Sequence, residues 1–154
     1  MTIHFHDLIS DTNILSALTS EGYTSPTPVQ AQTIPPALAN KDIMASAQTG
    51  SGKTAAFLLP TLQRLATRSD KPGKGPRALV LTPTRELAAQ VEKNAQSYSQ
   101  NMPWFRTTSL VGGSSFGQQI RALSKPIDII VATPGRLMDH MRSGRIDFDR
   151  LEVL

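Results

Sequence analysis

Residues 42–60 read DIMASAQTGSGKTAAFLLP, and the eight at their centre decide the fold: Ala47-Gln48-Thr49-Gly50-Ser51-Gly52-Lys53-Thr54. A short apolar run, Ile43–Ala47, precedes the turn and a helical pattern over 52–67 follows it. A glycine-rich turn between strand and helix that closes on Lys-Thr is the arrangement of a nucleotide-phosphate loop. Gly50 and Gly52 let the backbone bend so that the N–H groups of Thr49 to Thr54 face phosphate oxygens. The following helix adds its positive amino end. Lys53 is placed to reach β- and γ-phosphates, and the Thr54 hydroxyl to complete a Mg²⁺ shell. Position 47 is alanine where the general pattern has glycine, which is tolerable at a negative φ.

Outward from this loop, short apolar runs alternate with helical patterns. The runs are 43–47 (IMASA), 78–82 (ALVLT), 107–111 (TTSLV), 127–132 (IDIIVA) and one that begins at Leu151. Each is bounded by polar, Gly or Pro residues, as expected of strands buried on both faces. Helices are expected over 52–67, 85–100, 116–123 and 134–142. In the second of these Leu87, Val91 and Ala95 form one stripe, and Thr133-Pro134 has the form of an N-cap followed by a first-turn proline. This alternation predicts a parallel-sheet α/β domain. Ahead of it, 13–21 and 29–40 read as helices, with Pro35-Pro36 expected to kink or divide the second. The segment 69–76 (SDKPGKGP) reads as a flexible solvated loop. The organisation expected is an amino-terminal region over 1–40 and a partial nucleotide-binding domain over 41–154.

Composition bounds the rest. The chain has 154 residues, one ordinary domain's length. It contains no cysteine, which excludes disulfides, iron–sulfur clusters and thiolate zinc sites. No apolar run approaches a membrane span and the first ten residues lack the form of a secretion signal, so a cytoplasmic location is expected. The net charge of +4 is unevenly spread: residues 1–60 sum to −2 and residues 61–154 to +6. Ten of the 16 basic residues are arginines, the side chain suited to bidentate contact with phosphate. A basic second half is compatible with a polyanionic partner and with an evenly solvated surface.

Five segments in order, GYTSPTPVQ (22–30), AQTGSGKT (47–54), PTRELA (83–88), Gly112-Gly113 and TPGR (133–136), resemble the first, RecA-like domain of DEAD-box ATP-dependent RNA helicases. Phe5 stands 17 residues before Gly22, where that family places an aromatic. The wording of residues 42–60 is most similar to the bacterial RhlE-type branch. The resemblance implies that ATP and Mg²⁺ are the cofactors and RNA the partner, in a protein that unwinds or remodels RNA duplexes. It implies that Gln30, whose amide offers a donor and an acceptor in one plane, selects adenine while Phe5 stacks on the base. Outside that context Gln30 reads as a helix-surface glutamine and Phe5 as a core aromatic.

The resemblance also assigns RNA-backbone contacts to Pro83, Thr84, Arg85, Gly112, Gly113, Thr133, Pro134, Gly135 and Arg136. The chemistry of those residues agrees with it. Each group follows a strand, where parallel sheets bind ligands, and combines a helix start, a close-approach glycine or an arginine, all suited to phosphate. Such a surface tracks a sugar–phosphate backbone without reading bases. Trp104, Phe105, His4, His6 and His140 read as packing or surface residues.

In the resembled family the strand after TPGR carries the Asp-Glu-Ala-Asp box. Leu151-Glu152-Val153-Leu154 reads as the start of that strand. Residues 1–154 alone are therefore expected to lack ATPase and unwinding activity, because the metal-holding and water-orienting carboxylates are not among them. Uncovered sheet surface also predicts marginal stability. The alternative is a stand-alone, non-catalytic nucleotide- or RNA-binding module; a further one, an unrelated P-loop ATPase or nucleotide kinase, is opposed by residues 22–30 and TPGR.

Overall fold

Three of the predicted runs become strands: β1 (Ala78–Leu81), β2 (Thr107–Leu110) and β3 (Ile129–Ala132). They form one parallel sheet in the order β1-β3-β2, with Ala78 and Thr107 both opposite Ile129. All four residues of β3 are fully buried, which explains why the middle strand is written as an unbroken apolar run. Val153 makes a single parallel bridge to Ala78 of β1.

The computed structural model describes all residues 1–154. They divide into two compact units, Met1–Thr67 with Asn94–Pro103 and Arg68–Lys93 with Trp104–Leu154. The first is helical: α1 (Phe5–Leu8), α2 (Thr12–Ser20), α3 (Pro28–Leu38), α4 (Lys53–Leu65) and the end of α5 (Arg85–Tyr98). Helix α3 packs along α4, and Ile14, Leu18, Ile34, Leu58, Leu59, Leu62 and Leu65 are fully buried. Asp11 caps α2 by accepting from the Ile14 N–H at 3.0 Å. Helix α3 is not divided by Pro35 and Pro36. They occupy its last turn, and the Ala39 and Lys41 N–H groups close that turn on the carbonyls of Pro35 and Pro36.

The second unit holds the sheet, the start of α5, α6 (Phe116–Leu123) and α7 (Pro134–Arg142). Its core joins Leu79, Leu110, Ile127, Ile130, Ala132 and Leu137, with Leu123, Ile146, Phe148 and Leu151 packed against them. At the amino ends of the strands lies an ion cluster whose Arg77 and Asp128 are buried and whose Glu152 reaches the surface. Arg77, only 3% exposed, donates from Nε to Glu152 at 2.9 Å and lies 3.5 Å from Asp128. The Asp128 carboxylate also accepts from the Arg106 N–H at 2.9 Å, so the Arg77–Asp128 pair ties the entrances of β1, β2, β3 and the Val153 segment. The loop over 69–76 is held at its far end: Gly75 and Pro76 are buried, and the Arg150 guanidinium donates to the Gly73 carbonyl at 2.6 Å.

One expectation fails. Residues 43–47 form no strand; Ile43, Met44, Ala45 and Ser46 are exposed and pair with nothing in a ladder. A strand is a pairing, not a local conformation. The sheet and its Val153 extension belong wholly to the other unit, and residues 43–47 enter no ladder.

Candidate functional site

The phosphate-loop pattern folds as a turn that opens α4. The Ser51 N–H donates to the Gln48 carbonyl at 3.1 Å, and Gly50 and Gly52 take φ values of +81° and +88°. Those are left-handed conformations that only glycine adopts without strain. Asn40 is the one non-glycine residue with positive φ, so Ala47 meets the condition under which alanine is tolerated. The Lys53 ammonium folds back on the loop and donates to the Ala47 carbonyl at 2.5 Å.

Gln30 sits beside this turn, 2% exposed. Its Oε1 accepts from the Thr27 N–H at 2.9 Å, and its Nε2 donates to the Gly52 carbonyl at 3.1 Å. The first bond, with the Thr27 hydroxyl accepting from the Gln30 N–H, makes a capping box whose next residue is Pro28 at the first helical position. Gly52 has no room for a side chain, since a Cβ there would run into Gln30 Nε2 and lie 3.1 Å from Thr27 Oγ1. Gln30 is therefore no surface glutamine; it joins the start of α3 to the start of α4. Thr27 escaped the sequence reading; a threonine just ahead of Pro28 was the available cap signal, and nothing local signalled its place under Gly52.

The loop fits a phosphate group. The Ser51 hydroxyl is buried with no hydrogen-bond partner, a cost that a bound oxygen would remove, and the Lys53 ammonium is engaged by a single main-chain carbonyl. No group of three His, Cys, Asp or Glu side chains forms a metal cage. A divalent ion here would be held through nucleotide phosphates and the Thr54 hydroxyl, the usual manner of Mg²⁺. Phe5 is 5% exposed and meets Tyr23 edge-on at 6.0 Å between ring centres. Tyr23 in turn bonds its hydroxyl to that of Tyr98 at 2.6 Å. Burial, followed by that hydrogen bond, pushes the Tyr98 phenol well above its ordinary pKa and keeps it protonated.

In the sheet-bearing unit, the three sequence-predicted groups gather at one edge. Pro83–Arg85, Gly112–Gly113 and Thr133–Arg136 follow the carboxyl ends of β1, β2 and β3, which run parallel. The Thr82 N–H donates to the Ala132 carbonyl at 2.9 Å and the Thr133 N–H to the Leu110 carbonyl at 3.1 Å, which locks the three exits together. Thr84 caps α5 by accepting from the Leu87 N–H at 3.2 Å. The Arg85 guanidinium lies over the glycine pair, 3.5 Å from the Gly112 carbonyl and against the space a Gly113 side chain would need. Pro83, Thr84, Arg85, Gly113, Pro134 and Gly135 are exposed, and Gly112, Thr133 and Arg136 half-buried.

Arg136 is the most constrained of them. It donates to the Ser114 carbonyl at 2.9 Å and to Gln119 Oε1 at 3.0 Å, lies 5.5 Å from the centre of the Phe116 ring, and approaches Asp139 at 3.9 Å. Behind it His140 is fully buried and stacks on Phe116 at 4.2 Å. Its Nε2 lies 2.8 Å from Gln119 Oε1. Because Oε1 already accepts from Arg136, the imidazole donates from Nε2, which leaves Nδ1 bare and buried without a partner. Burial first, then the Arg136 guanidinium, holds the His140 pKa below its usual value, so the ring is neutral. Gln119 escaped the sequence reading. The available signal was its position on the stripe of Phe116 and Leu123, where a polar residue must find partners.

The model of the family "DEAD/DEAH box helicase" matches residues 27–154. The chain is 46% identical over 150 residues to the ATP-dependent RNA helicase DeaD of Escherichia coli (strain K12), covering 97% of this chain and 23% of that protein. It is 39% identical over 153 residues to the ATP-dependent RNA helicase RhlB of Pasteurella multocida, covering 99% and 36%. It is 44% identical over 137 residues to the probable ATP-dependent RNA helicase DDX59 of Homo sapiens, covering 89% and 22%. The chain thus spans about a quarter to a third of the length of these curated relatives. No helix is long and apolar enough to cross a membrane. With a phosphate loop braced by Gln30 and a family match over most of its length, this chain belongs to the DEAD/DEAH box helicases.

Proposed function

We propose that residues 1–154 are the ATP-binding and RNA-backbone-binding part of an ATP-dependent RNA helicase that unwinds or remodels RNA duplexes. The observation that carries this reading is the gathering of Arg85, Gly112–Gly113 and Arg136 at one sheet edge, in a chain whose phosphate loop is complete. In this reading Thr49–Gly52 supply main-chain N–H groups to the phosphates, Lys53 supplies charge, and Thr54 holds Mg²⁺. Bound Mg²⁺ neutralises β- and γ-phosphate oxygens. Gln30 selects the base. Phe5 is assigned to the base by resemblance, and its burial against Tyr23 supports a packing contribution.

Two cationic side chains, a pair of small residues and the amino end of α7 line the sheet edge, and nothing there is shaped to read bases. RNA of any sequence, held by phosphate and sugar, is the partner this chemistry serves. Binding of a labelled mixed-sequence single-stranded RNA, followed by fluorescence anisotropy over a salt series, tests it. The affinity is expected to fall steeply with salt and to drop in an R85A/R136A variant that still binds ATP. Unchanged RNA binding in that variant would sink the reading of this edge.

A further inference from the structure

Gln119 is 5% exposed, and every polar contact of its side chain goes to the sheet edge just described. Its Nε2 donates to the Val111 carbonyl at 3.0 Å, immediately before Gly112-Gly113. Its Oε1 accepts from Arg136 at 3.0 Å and from His140 Nε2 at 2.8 Å. One amide therefore holds the chain leaving β2 with its donor end and the arginine of α7 with its acceptor end. Neutral His140 keeps the acceptor in place, because it can donate to Oε1 and to nothing else.

The electrostatics favour a directing contact over a neutralising one. A carboxylate at this position would pair with Arg136 and cancel the charge that a phosphate must meet. A neutral amide oxygen fixes the guanidinium by a hydrogen bond and leaves its charge available. The Ser114 carbonyl takes a second bond from the same Nη1, and Phe116 stacks on His140 with the Arg136 guanidinium 5.5 Å from its ring centre. A long side chain loses rotamer freedom when it grips a ligand; here that freedom is already spent before RNA arrives. Gln119 touches both the β2 exit and α7.

We infer that Gln119 is a positioning residue for RNA binding: it sets the Arg136 guanidinium and the Val111–Gly113 exit in register so that both meet one sugar–phosphate backbone. The inference rests on the RNA reading proposed above and goes beyond it in naming a residue that touches no RNA.

The test is a double-mutant cycle on the chain with a labelled mixed-sequence ten-nucleotide RNA and, separately, a fluorescent ATP analogue. Gln119→Met keeps the volume and removes all three hydrogen bonds. It is expected to weaken RNA binding about five- to tenfold and to lower the salt slope by about 0.7, the value of one single-strand phosphate contact. ATP-analogue binding stays unchanged. In an Arg136→Ala background the same substitution is expected to cost much less, because the residue through which it acts is gone. Gln119→Glu keeps both acceptor bonds but neutralises the Arg136 guanidinium, so it is expected to weaken RNA binding with the fold intact and serves should the methionine variant unfold; wild-type RNA affinity in Gln119→Glu would overturn the inference. If Arg136→Ala weakens RNA binding while Gln119→Met does not, or if the two effects simply multiply, this inference is overturned and the RNA reading stands. If Arg136→Ala itself leaves RNA binding untouched, the RNA reading falls and this inference with it.

Discussion

The Nε2 of Gln30 donates to the main-chain oxygen of Gly52 at 3.1 Å, and no atom could be added to the Gly52 Cα without displacing it. The residue proposed to select the base and the residue that ends the phosphate turn are therefore one mechanical unit. In Gln30→Ala the capping bond at Thr27 and the brace on Gly52 disappear together. About 1 kcal/mol per lost bond predicts a destabilisation of about 2 kcal/mol, seen in urea unfolding. ATP affinity and any preference for ATP over GTP are expected to fall as well, and isothermal titration with both nucleotides checks this. Retained preference would show that Gln30 serves the fold alone.

Gly52→Ala carries two penalties, a left-handed φ and a clash with Gln30. We expect loss of nucleotide binding together with a lower melting temperature. Gly50→Ala has only the φ penalty, of about 1 kcal/mol, since its Cβ would meet nothing within 4 Å. Thermal melts of the two variants should rank in that order.

Lys53 is exposed, and its one bond is to a neighbouring carbonyl. Lys53→Ala is expected to leave the urea midpoint unchanged and to weaken ATP binding tenfold or more, about 1.4 kcal/mol or above. A stability loss equal to the binding loss would overturn the phosphate role.

Arg77 is buried between Asp128 and Glu152. Truncating it to alanine leaves two carboxylates without their shared cation, a change that costs about 3–5 kcal/mol in buried pairs. Arg77→Met, with Asp128→Asn and Glu152→Gln added, should recover much of that loss, as judged by denaturant unfolding of the variants.

His140 gives the sheet-bearing unit a pH dependence of known sign. Its native pKa lies below the usual value because of burial and Arg136; Arg145 adds to that and Asp139 opposes it. As pH falls from about 6.5, the unfolded chain binds a proton that the native imidazole refuses. Stability is therefore present above that value and declines as pH drops toward the native pKa. His140→Phe, which keeps the stack on Phe116, should flatten the slope of unfolding free energy between pH 7 and pH 5. An unchanged slope would exclude His140 as its source.

Periodicity and turn chemistry made most of the elements readable. Phe116–Leu123 and Pro134–Arg142 form at the expected residues, because Ser115 caps the first and Thr133-Pro134 opens the second. Residues 43–47 misled for the opposite reason. An apolar run is a strand only when a neighbour offers a ladder, and that neighbour is not written in the run itself. Gln119 and His140 were illegible as site elements because their meaning lies in a partner some 20 residues away, across α6 and α7.

Local chemistry, written in the sequence, determined the phosphate turn, the helix caps, the parallel-sheet class and the three groups that follow the strands. Glycine conformations, capping oxygens and apolar period are short-range properties, and they survive reading one segment at a time. Tertiary structure alone decided that Gln30 braces Gly52, that Arg77 pairs with Asp128 and Glu152, and that Gln119 holds Arg136 and Val111 together. Each of these is a buried polar group that must be paired once water is excluded, and which group supplies the partner depends on how distant segments pack.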